Sequence, residues 1–205
     1  TSSEHRMQFQ TLALAEPILR VLAEQGYQAA TPVQQQAIPP IMAGKDVLAG
    51  AQTGTGKTAA FTLPLLQQLL NAPKVLQPAQ VRVLVLTPTR ELAQQVFESV
   101  QTYSRYLAVR SAVFYGGVSI RPQYDEAEQG LDILVATPGR LIDHLHQQTI
   151  DLSQLEVLVL DEADRMLDMG FIHDIKRIMA RLPKERQTLF FSATFAKEIK
   201  ELADT

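Results

Sequence analysis

The residues that point most directly to chemistry lie in one glycine-rich segment, Ala51-Gln52-Thr53-Gly54-Thr55-Gly56-Lys57-Thr58. Glycines let successive backbone N–H groups turn toward one anion, and a following helix N-terminus adds further unpaired N–H groups. Lys57 would reach the β- and γ-phosphates of a nucleotide, and the Thr58 hydroxyl would bind Mg²⁺. The first position of this pattern is usually glycine, and here it is Ala51. The segment predicts a nucleoside triphosphate site; the alternative is an ordinary glycine-rich turn before a capped helix.

A second candidate is the acidic segment Asp161-Glu162-Ala163-Asp164, which follows the apolar run Val157-Leu158-Val159-Leu160. Ligands bind at the carboxyl ends of the strands in open α/β sheets. Asp161 would hold Mg²⁺ directly or through water, and Glu162 would orient or deprotonate the attacking water in phosphoanhydride hydrolysis. Taken alone, the segment could be an acidic helix N-terminus favoured by the macrodipole. Its presence beside the glycine-rich segment favours hydrolysis of a nucleoside triphosphate.

The residues that would select the base lie upstream. The sequence has no Asn-Lys-x-Asp segment of the kind that reads guanine. Gln34, after Thr31-Pro32-Val33, carries the donor and the acceptor that suit the N6/N7 edge of adenine, and Phe9 could stack on the ring. An isolated glutamine or phenylalanine is more often a surface or core residue. ATP with Mg²⁺ is the predicted ligand pair.

Strands and helices alternate along the chain and would position these segments. Apolar runs typical of strands buried on both faces occur at 83–86, 133–136, 157–160 and 188–191, with further candidates at 46–49 and 112–115. Helical spacing occurs at 12–25, 33–43, 57–71, 89–105, 120–129, 139–148 and 171–181, and 72–80 reads as a loop. The predicted fold class is α/β, with a mainly parallel sheet and helices on both faces.

Composition restricts the possible functions. A chain of 205 residues is long enough for one α/β domain. Its net charge of -3 excludes a generally basic nucleic-acid binder, so any such binding would need local donors. Cysteine is absent, which excludes disulfides and fits a reducing cytoplasm, and no apolar run has the length of a membrane span. Residues 1–6 are interpreted as a tag remnant or disordered lead, 7–205 as the domain, and the helical pattern at the C-terminus as a cut chain.

Two similar segments suggest a nucleic-acid interface, Thr87-Pro88-Thr89-Arg90 and Thr137-Pro138-Gly139-Arg140. In both, threonine suits a helix N-cap and proline the first helical position. The macrodipole disfavours an arginine in the first turn, and an approaching phosphate would reverse that penalty. Gly116-Gly117 would allow close backbone approach, so the segments could hold successive phosphates of one strand. The alternative is two helix caps with exposed arginines.

Taken in order, these segments resemble the motif series of the first RecA-like domain of DEAD-box RNA helicases, over about Phe9 to Thr205. The series comprises Gly26-Tyr27 to Gln34, Ala51 to Thr58, Pro88-Thr89-Arg90-Glu91-Leu92, Gly116-Gly117, Thr137 to Arg140, Asp161 to Asp164, and Ser192-Ala193-Thr194. Residues 115–120 and 165–171 further resemble the bacterial RhlE-like branch.

The resemblance implies a RecA-like P-loop domain that uses the residues named above for ATP, Mg²⁺ and RNA. RNA would be held by its backbone without sequence readout. A second RecA-like domain of the same protein would complete the ATP site, so this domain alone is expected to bind nucleotide weakly and to hydrolyse it slowly or not at all. The hydroxyls of Ser192 and Thr194 are expected to reach Asp164 and to couple hydrolysis to strand separation, although locally they form only a helix cap.

Two other functions remain open at this point. One is a non-catalytic RNA-binding or scaffold module, against which the intact Lys57, Asp161 and Glu162 argue. The other is a DNA-directed motor; Gln34, with Asp164 rather than histidine at the fourth position of the acidic segment, favours RNA. The remaining residues of note are predicted to be surface histidines, His5, His144, His146 and His173, or packing methionines, Met166, Met169 and Met179.

Overall fold

The computed structural model describes residues 9–27, 29–51 and 56–205, with the side chains of Gln10 and Thr11 excepted. The predicted lead at 1–6 and four predicted nucleotide-binding residues, Gln52, Thr53, Gly54 and Thr55, lie outside the described residues.

Within the described part of the chain, six strands form one sheet in the order β1-β6-β5-β2-β4-β3, and every neighbouring pair is parallel. The strands are β1 (Val47–Gly50), β2 (Val81–Leu86), β3 (Ser111–Phe114), β4 (Leu131–Ala136), β5 (Val157–Asp161) and β6 (Gln187–Ser192). All residues of β2, β5 and β6 are buried, as expected for central strands covered on both faces.

A 3₁₀ turn at Phe9–Leu12 precedes the helices. These are α1 (Glu16–Glu24), α2 (Pro32–Met42), α3 (Lys57–Asn71), α4 (Arg90–Tyr103), α5 (Arg121–Glu128), α6 (Pro138–His146), α7 (Ala163–Asp168), α8 (Ile172–Met179) and α9 (Lys197–Ala203).

The sheet separates two apolar cores, because successive residues of a strand point to opposite faces. Val83 and Val85 of β2 face a core that helices α1 to α4 complete. Leu84 and Leu86 face a second core, completed by α5 to α9. The predicted fold class is therefore confirmed as an all-parallel α/β sheet with helices on both faces. The carboxyl ends of the strands lie at one edge of this sheet, where α3, α4, α6 and α7 begin.

Two predictions about individual side chains are wrong. His144 is not at the surface but 0% exposed, because it lies on the inner face of α6 beside Leu141 and Leu145. Met169 is 47% exposed, since it lies at the C-cap of the short helix α7, whereas Met166 and Met179 pack in the core as predicted. We find no helix among the described residues that combines the length and the apolar character of a membrane span.

Candidate nucleotide and nucleic-acid sites

Lys57 and the acidic segment meet at the carboxyl edge of the sheet. The Lys57 Nζ atom lies 3.0 Å from Asp161 Oδ1 and 3.0 Å from Glu162 Oε2. Lys57 is 6% exposed and Asp161 1% exposed. Burying charges at this depth is costly unless they are paired, and here one ammonium compensates two carboxylates. On the outer side, Arg165 Nη1 approaches Glu162 Oε1 at 3.9 Å.

The backbone at Glu162 explains how two consecutive carboxylates reach one ammonium. In a continuing strand their side chains would point to opposite faces of the sheet. Glu162 instead adopts φ 54° and ψ 51°, in the left-handed region, at the N-cap of α7. This conformation costs a non-glycine residue about 1–2 kcal/mol. The turn thus brings the second carboxylate beside the first, at a conformational cost that the surrounding structure must offset.

The surroundings of Asp161 act on its pKa in both directions. Burial raises the pKa of Asp161 above its ordinary value, while the neighbouring Lys57 acts in the opposite direction and the Glu162 charge adds to the rise. Such a carboxylate gains more than an exposed one from a nearby cation, because water does not screen the interaction.

The donor set fits Mg²⁺ bound together with a phosphate ligand. Among the described residues, no group of three or more His, Cys, Asp or Glu side chains could hold a metal ion. Mg²⁺ does not require such a cage, since it is usually bound by one or two carboxylates, by waters and by substrate phosphates. Asp161, with the hydroxyl of the half-buried Thr58, supplies donors of the right chemistry.

A cavity of about 670 Å³ opens beside this ion pair. Its size falls in the range of small-molecule and cofactor sites, which is about 300–1,000 Å³. The structure brings seven of the sequence-predicted site residues to its wall: Phe9, Gln34, Gly56, Lys57, Thr58, Asp161 and Glu162. Phe9 is 3% exposed and belongs to the core beneath α1 to α4, so its stacking role stays a prediction.

Gln34 joins the start of α2 to the start of α3. Its Oε1 accepts from the Thr31 N–H at 2.9 Å, in a capping box, and its Nε2 donates to the Gly56 carbonyl at 3.1 Å. A glutamine amide has two donors and two acceptor lone pairs, so one of each is left for a ligand. Its role as adenine reader stays a prediction, while its attachment to Gly56 is a structural role that the sequence pattern did not indicate.

Gly56 is the N-cap of α3 and has φ 84°. A Cβ atom at this position would lie 2.7 Å from Gln34 Nε2 and 3.0 Å from Thr31 Oγ1. Only glycine fits both the conformation and the space. Ala51, before the undescribed residues, is tied to the sheet because its N–H donates to the Ser192 carbonyl at 3.0 Å.

The two Thr-Pro-x-Arg segments open their helices in different registers. Thr137 is the N-cap of α6 and Pro138 its first residue, as predicted. In the other segment the expected register is wrong. Thr89 is the N-cap of α4, because its hydroxyl accepts the Leu92 N–H at 3.2 Å, and the helix begins at Arg90. Both prolines, Pro88 and Pro138, are buried and offer little surface to a nucleic acid.

Both arginines meet at the glycine pair. A Cβ atom on Gly117 would lie 3.6 Å from Arg90 Nη1, and one on Gly116 would lie 4.0 Å from Arg140 Nη2. Arg90 is exposed and stacks its guanidinium 4.8 Å from the ring centroid of Tyr115. The Arg140 side chain is only 11% exposed. The alternative of two exposed arginines thus fits Arg90 and not Arg140. Of the predicted glycines, Gly117 and Gly139 are exposed and could offer their backbone to a ligand.

One of the two predicted coupling hydroxyls reaches the acidic segment. Thr194 Oγ1 donates to Asp164 Oδ2 at 3.3 Å. Ser192 does not reach Asp164: it ends β6 fully buried, and its hydroxyl donates to the Thr194 carbonyl at 2.6 Å. The expectation for Ser192 is therefore wrong, because this hydroxyl shapes the turn after the strand.

Sequence reasoning missed two residues beside the glycine pair, Gln123 and His144. Gln123 donates to the Tyr115 carbonyl at 3.3 Å, and its side-chain oxygen lies 3.0 Å from His144 Nε2. The available signal was the helical spacing of Leu141, His144 and Leu145, which predicts one shared buried face.

Comparisons with known proteins agree with this geometry. The ATP-dependent RNA helicase CshA of Limosilactobacillus reuteri is 45% identical over 196 residues, covering 96% of this chain and 38% of that protein. The ATP-dependent RNA helicase DeaD of Escherichia coli strain K12 is 48% identical over 204 residues, covering 98% of this chain and 31% of that protein. The DEAD-box ATP-dependent RNA helicase RhpA of Helicobacter pylori strain B128 is 43% identical over 200 residues, covering 98% of this chain and 39% of that protein.

The chain thus spans between 31% and 39% of the length of these relatives. Its resemblance to the RhlE-like branch stays a prediction. A family model described as DEAD/DEAH box helicase matches residues 31–202, from the capping threonine of α2 to the last buried leucine of α9. With the lysine and the acidic segment joined at one edge of a parallel sheet, this match shows that the chain belongs to the DEAD/DEAH box helicase family.

Proposed function

We propose that this chain is the ATP-binding motor domain of an ATP-dependent RNA helicase. The observation that carries the proposal is the meeting of Lys57, Asp161 and Glu162 at one wall of a cavity large enough for a nucleotide. The relatives' names, all ATP-dependent RNA helicases, support the choice of ATP and RNA.

In the proposed reaction, water attacks the γ-phosphorus of ATP and the bond to the ADP oxygen breaks. Glu162 orients that water and its carboxylate accepts the proton. Lys57, which bridges the two carboxylates, would pair with phosphate oxygens instead and stabilise their developing charge. Thr58 and Asp161 would hold Mg²⁺, which would neutralise part of the phosphate charge.

Adenine would be read by the donor and the acceptor that Gln34 has left after its bonds to Thr31 and Gly56. Phe9 would contribute an aromatic face at the same cavity wall. The segment that would cradle the phosphates is residues 51–58, of which 52–55 are assigned from the sequence alone.

RNA would bind across the carboxyl edge of the sheet, at Arg90, Gly116, Gly117 and the start of α6. Contacts from helix N-termini and arginines fix the phosphate backbone and carry no sequence information. We further propose that a second RecA-like domain of the same protein completes the ATP site, in line with the fraction of each relative that this chain spans. We also propose a cytoplasmic location, with which the absence of cysteine is compatible.

Adenine selectivity tests the nucleotide half of the proposal. Binding of fluorescent ATP and GTP analogues to this chain, with Mg²⁺ present, should favour the adenine analogue by at least about tenfold. Gln34→Leu should remove most of that preference, and Gln35→Leu, on the same helix, should leave it. Equal binding of the two nucleotides would contradict the proposal.

RNA-stimulated ATP hydrolysis tests the motor half. The full-length protein should hydrolyse ATP faster when single-stranded RNA is added, and matched DNA should stimulate it less. This chain alone should bind nucleotide and hydrolyse it slowly or not at all. The proposal would be contradicted if RNA did not raise the rate of ATP hydrolysis by the full-length protein. It would also be contradicted if this chain alone reached the full RNA-stimulated rate.

A further inference from the structure

A line of hydrogen bonds runs from the half-buried Thr149 through the buried His144 and Gln123 to the glycine pair. It begins at Thr149, whose hydroxyl lies 2.7 Å from His144 Nδ1. His144 Nε2 lies 3.0 Å from Gln123 Oε1, and Gln123 Nε2 donates to the Tyr115 carbonyl at 3.3 Å. None of these residues belongs to the nucleotide site, and the motif series did not include His144 or Gln123.

The direction of each bond follows from the chemistry of the partners. Gln123 donates to a carbonyl with its nitrogen, so its oxygen must be the acceptor that faces His144. His144 therefore carries its proton on Nε2, and Nδ1 accepts from the Thr149 hydroxyl. Burial lowers the pKa of His144 to about 4, with the Arg140 charge acting in the same direction, so the ring is neutral at pH 7.

Arg140 joins the same network at Gln123. Arg140 Nη1 donates to Gln123 Oε1 at 3.2 Å, and Arg140 Nη2 donates to the Val118 carbonyl at 3.0 Å. Two carbonyls on either side of Gly116 and Gly117, those of Tyr115 and Val118, are thus held by Gln123 and Arg140. The glycine pair has no side chains of its own to fix its shape.

The neutral character of Gln123 matters for Arg140. On the outer side, Arg140 Nε lies 3.4 Å from the half-exposed carboxylate of Asp143. On the inner side, an uncharged amide fixes the guanidinium without neutralising it. The guanidinium therefore keeps its charge on the inner side, and a phosphate would compete for it only with the half-exposed carboxylate of Asp143.

We infer that Gln123 and His144 are positioning residues of the nucleic-acid interface, which hold Arg140 and the Gly116–Gly117 turn in the shape that receives a phosphate of the strand. The inference rests on the proposed function. A preformed loop binds more tightly because less conformational entropy is lost on binding.

The test is a double-mutant cycle between His144 and Arg140. His144→Phe removes both side-chain hydrogen bonds and keeps an aromatic ring against Phe114, on which His144 stacks with centroids 4.5 Å apart. Binding of a single-stranded RNA to this chain is measured by fluorescence anisotropy at low salt, where phosphate contacts are strongest. His173→Phe, an exposed histidine on α8, is the matched control.

Arg140→Ala should weaken RNA binding about tenfold and His144→Phe about fivefold, while His173→Phe changes it less than twofold. In the Arg140→Ala background, His144→Phe should have a smaller effect than in the native chain, because its route through Arg140 is gone and only the route through the Tyr115 carbonyl remains. Gln123→Met, a second variant, should behave as His144→Phe does. ATP-analogue affinity should be unchanged in all of them, which shows that the fold is intact.

The outcomes separate the inference from the function on which it rests. If Arg140→Ala weakens binding but His144→Phe and Gln123→Met do not, or if their effects add fully to that of Arg140→Ala, the positioning role is overturned and the interface stands. If Arg140→Ala itself leaves RNA binding unchanged, the proposed interface is overturned, and the inference with it.

Discussion

Asp161 and Glu162, adjacent in the chain, both direct a carboxylate at the same ammonium, that of Lys57, with both distances 3.0 Å. The left-handed backbone at Glu162 makes this possible. The arrangement links the end of β5 to the start of α3 and so joins the two sequence segments that predict hydrolysis.

Lys57→Met should lower the free energy of unfolding at pH 7 by about 3 kcal/mol, because it leaves buried carboxylates without their cation. Adding Asp161→Asn should recover much of the loss, since it removes one of the two charges. The measurement is urea unfolding followed by circular dichroism. Lys74→Met is the control: Lys74 is 56% exposed and pairs with Glu156 at 3.4 Å, so its loss should cost less than about 1 kcal/mol. A double variant less stable than Lys57→Met would contradict the pairing.

Glu162→Gln should separate nucleotide binding from hydrolysis. The amide keeps the size of the side chain and loses the proton acceptor, so ATP hydrolysis by the full-length protein should fall by about a hundredfold or more. Affinity for ATP should change less than about twofold. Glu198→Gln, an exposed residue of α9, is the control and should leave both quantities unchanged. Equal losses of affinity and of rate would point to a binding role instead.

Gly56→Ala and Gly44→Ala form a matched pair. Both glycines have positive φ, 84° and 79°, but a Cβ at Gly44 would meet nothing within 4 Å. Gly44→Ala should therefore cost only the conformational term, about 1–2 kcal/mol of unfolding free energy. Gly56→Ala should cost about 1–3 kcal/mol more, because the new methyl meets Gln34 and Thr31. The measurement is chemical denaturation. Equal losses of unfolding free energy in the two variants would contradict the predicted clash, since they would mean that the start of α3 shifts to accommodate the methyl group.

His144 should make stability depend on pH. Its pKa is about 4 in the folded protein against an ordinary value of 6.5, so the unfolded chain binds more protons between these values. The stabilising contribution is complete above pH 6.5 and is lost as the pH falls through 4, with a total of about 3 kcal/mol.

The ionisable groups near His144 are Arg140, which lowers its pKa, Asp143, which raises it, and Tyr124, whose ring lies nearly perpendicular to the imidazole with centroids 5.5 Å apart. In unfolding experiments from pH 7 to pH 4, the native chain should lose more stability than His144→Phe. Parallel pH profiles for the two proteins would contradict a buried neutral imidazole.

The sheet could be read from the sequence because its signal is local. Runs such as 83–86 and 157–160 are apolar without interruption, which is what strands covered on both faces require. Their common edge then follows from parallel pairing, so the nearness of Lys57 to Asp161 was foreseeable from the chain.

Features that depend on competition between neighbours could not be read in this way. Thr87 and Thr89 both suit an N-cap, and only the bond that the Leu92 N–H donates to the Thr89 hydroxyl decides where α4 begins. The left-handed Glu162 follows no rule for a bulky residue, and nothing in the pattern indicates it. The burial of His144 follows from its spacing with Leu141 and Leu145, but its two hydrogen-bond partners, Thr149 and Gln123, do not follow from any local pattern.

The most direct measurement of the central claim is calorimetric titration of ATP into this chain with and without Mg²⁺, for the native protein and for Asp161→Asn. If Lys57 and the acidic segment share one metal-bound triphosphate, Mg²⁺ should strengthen ATP binding by about tenfold or more in the native chain and by less than about twofold in Asp161→Asn. The same dependence on Mg²⁺ in both proteins would contradict the account.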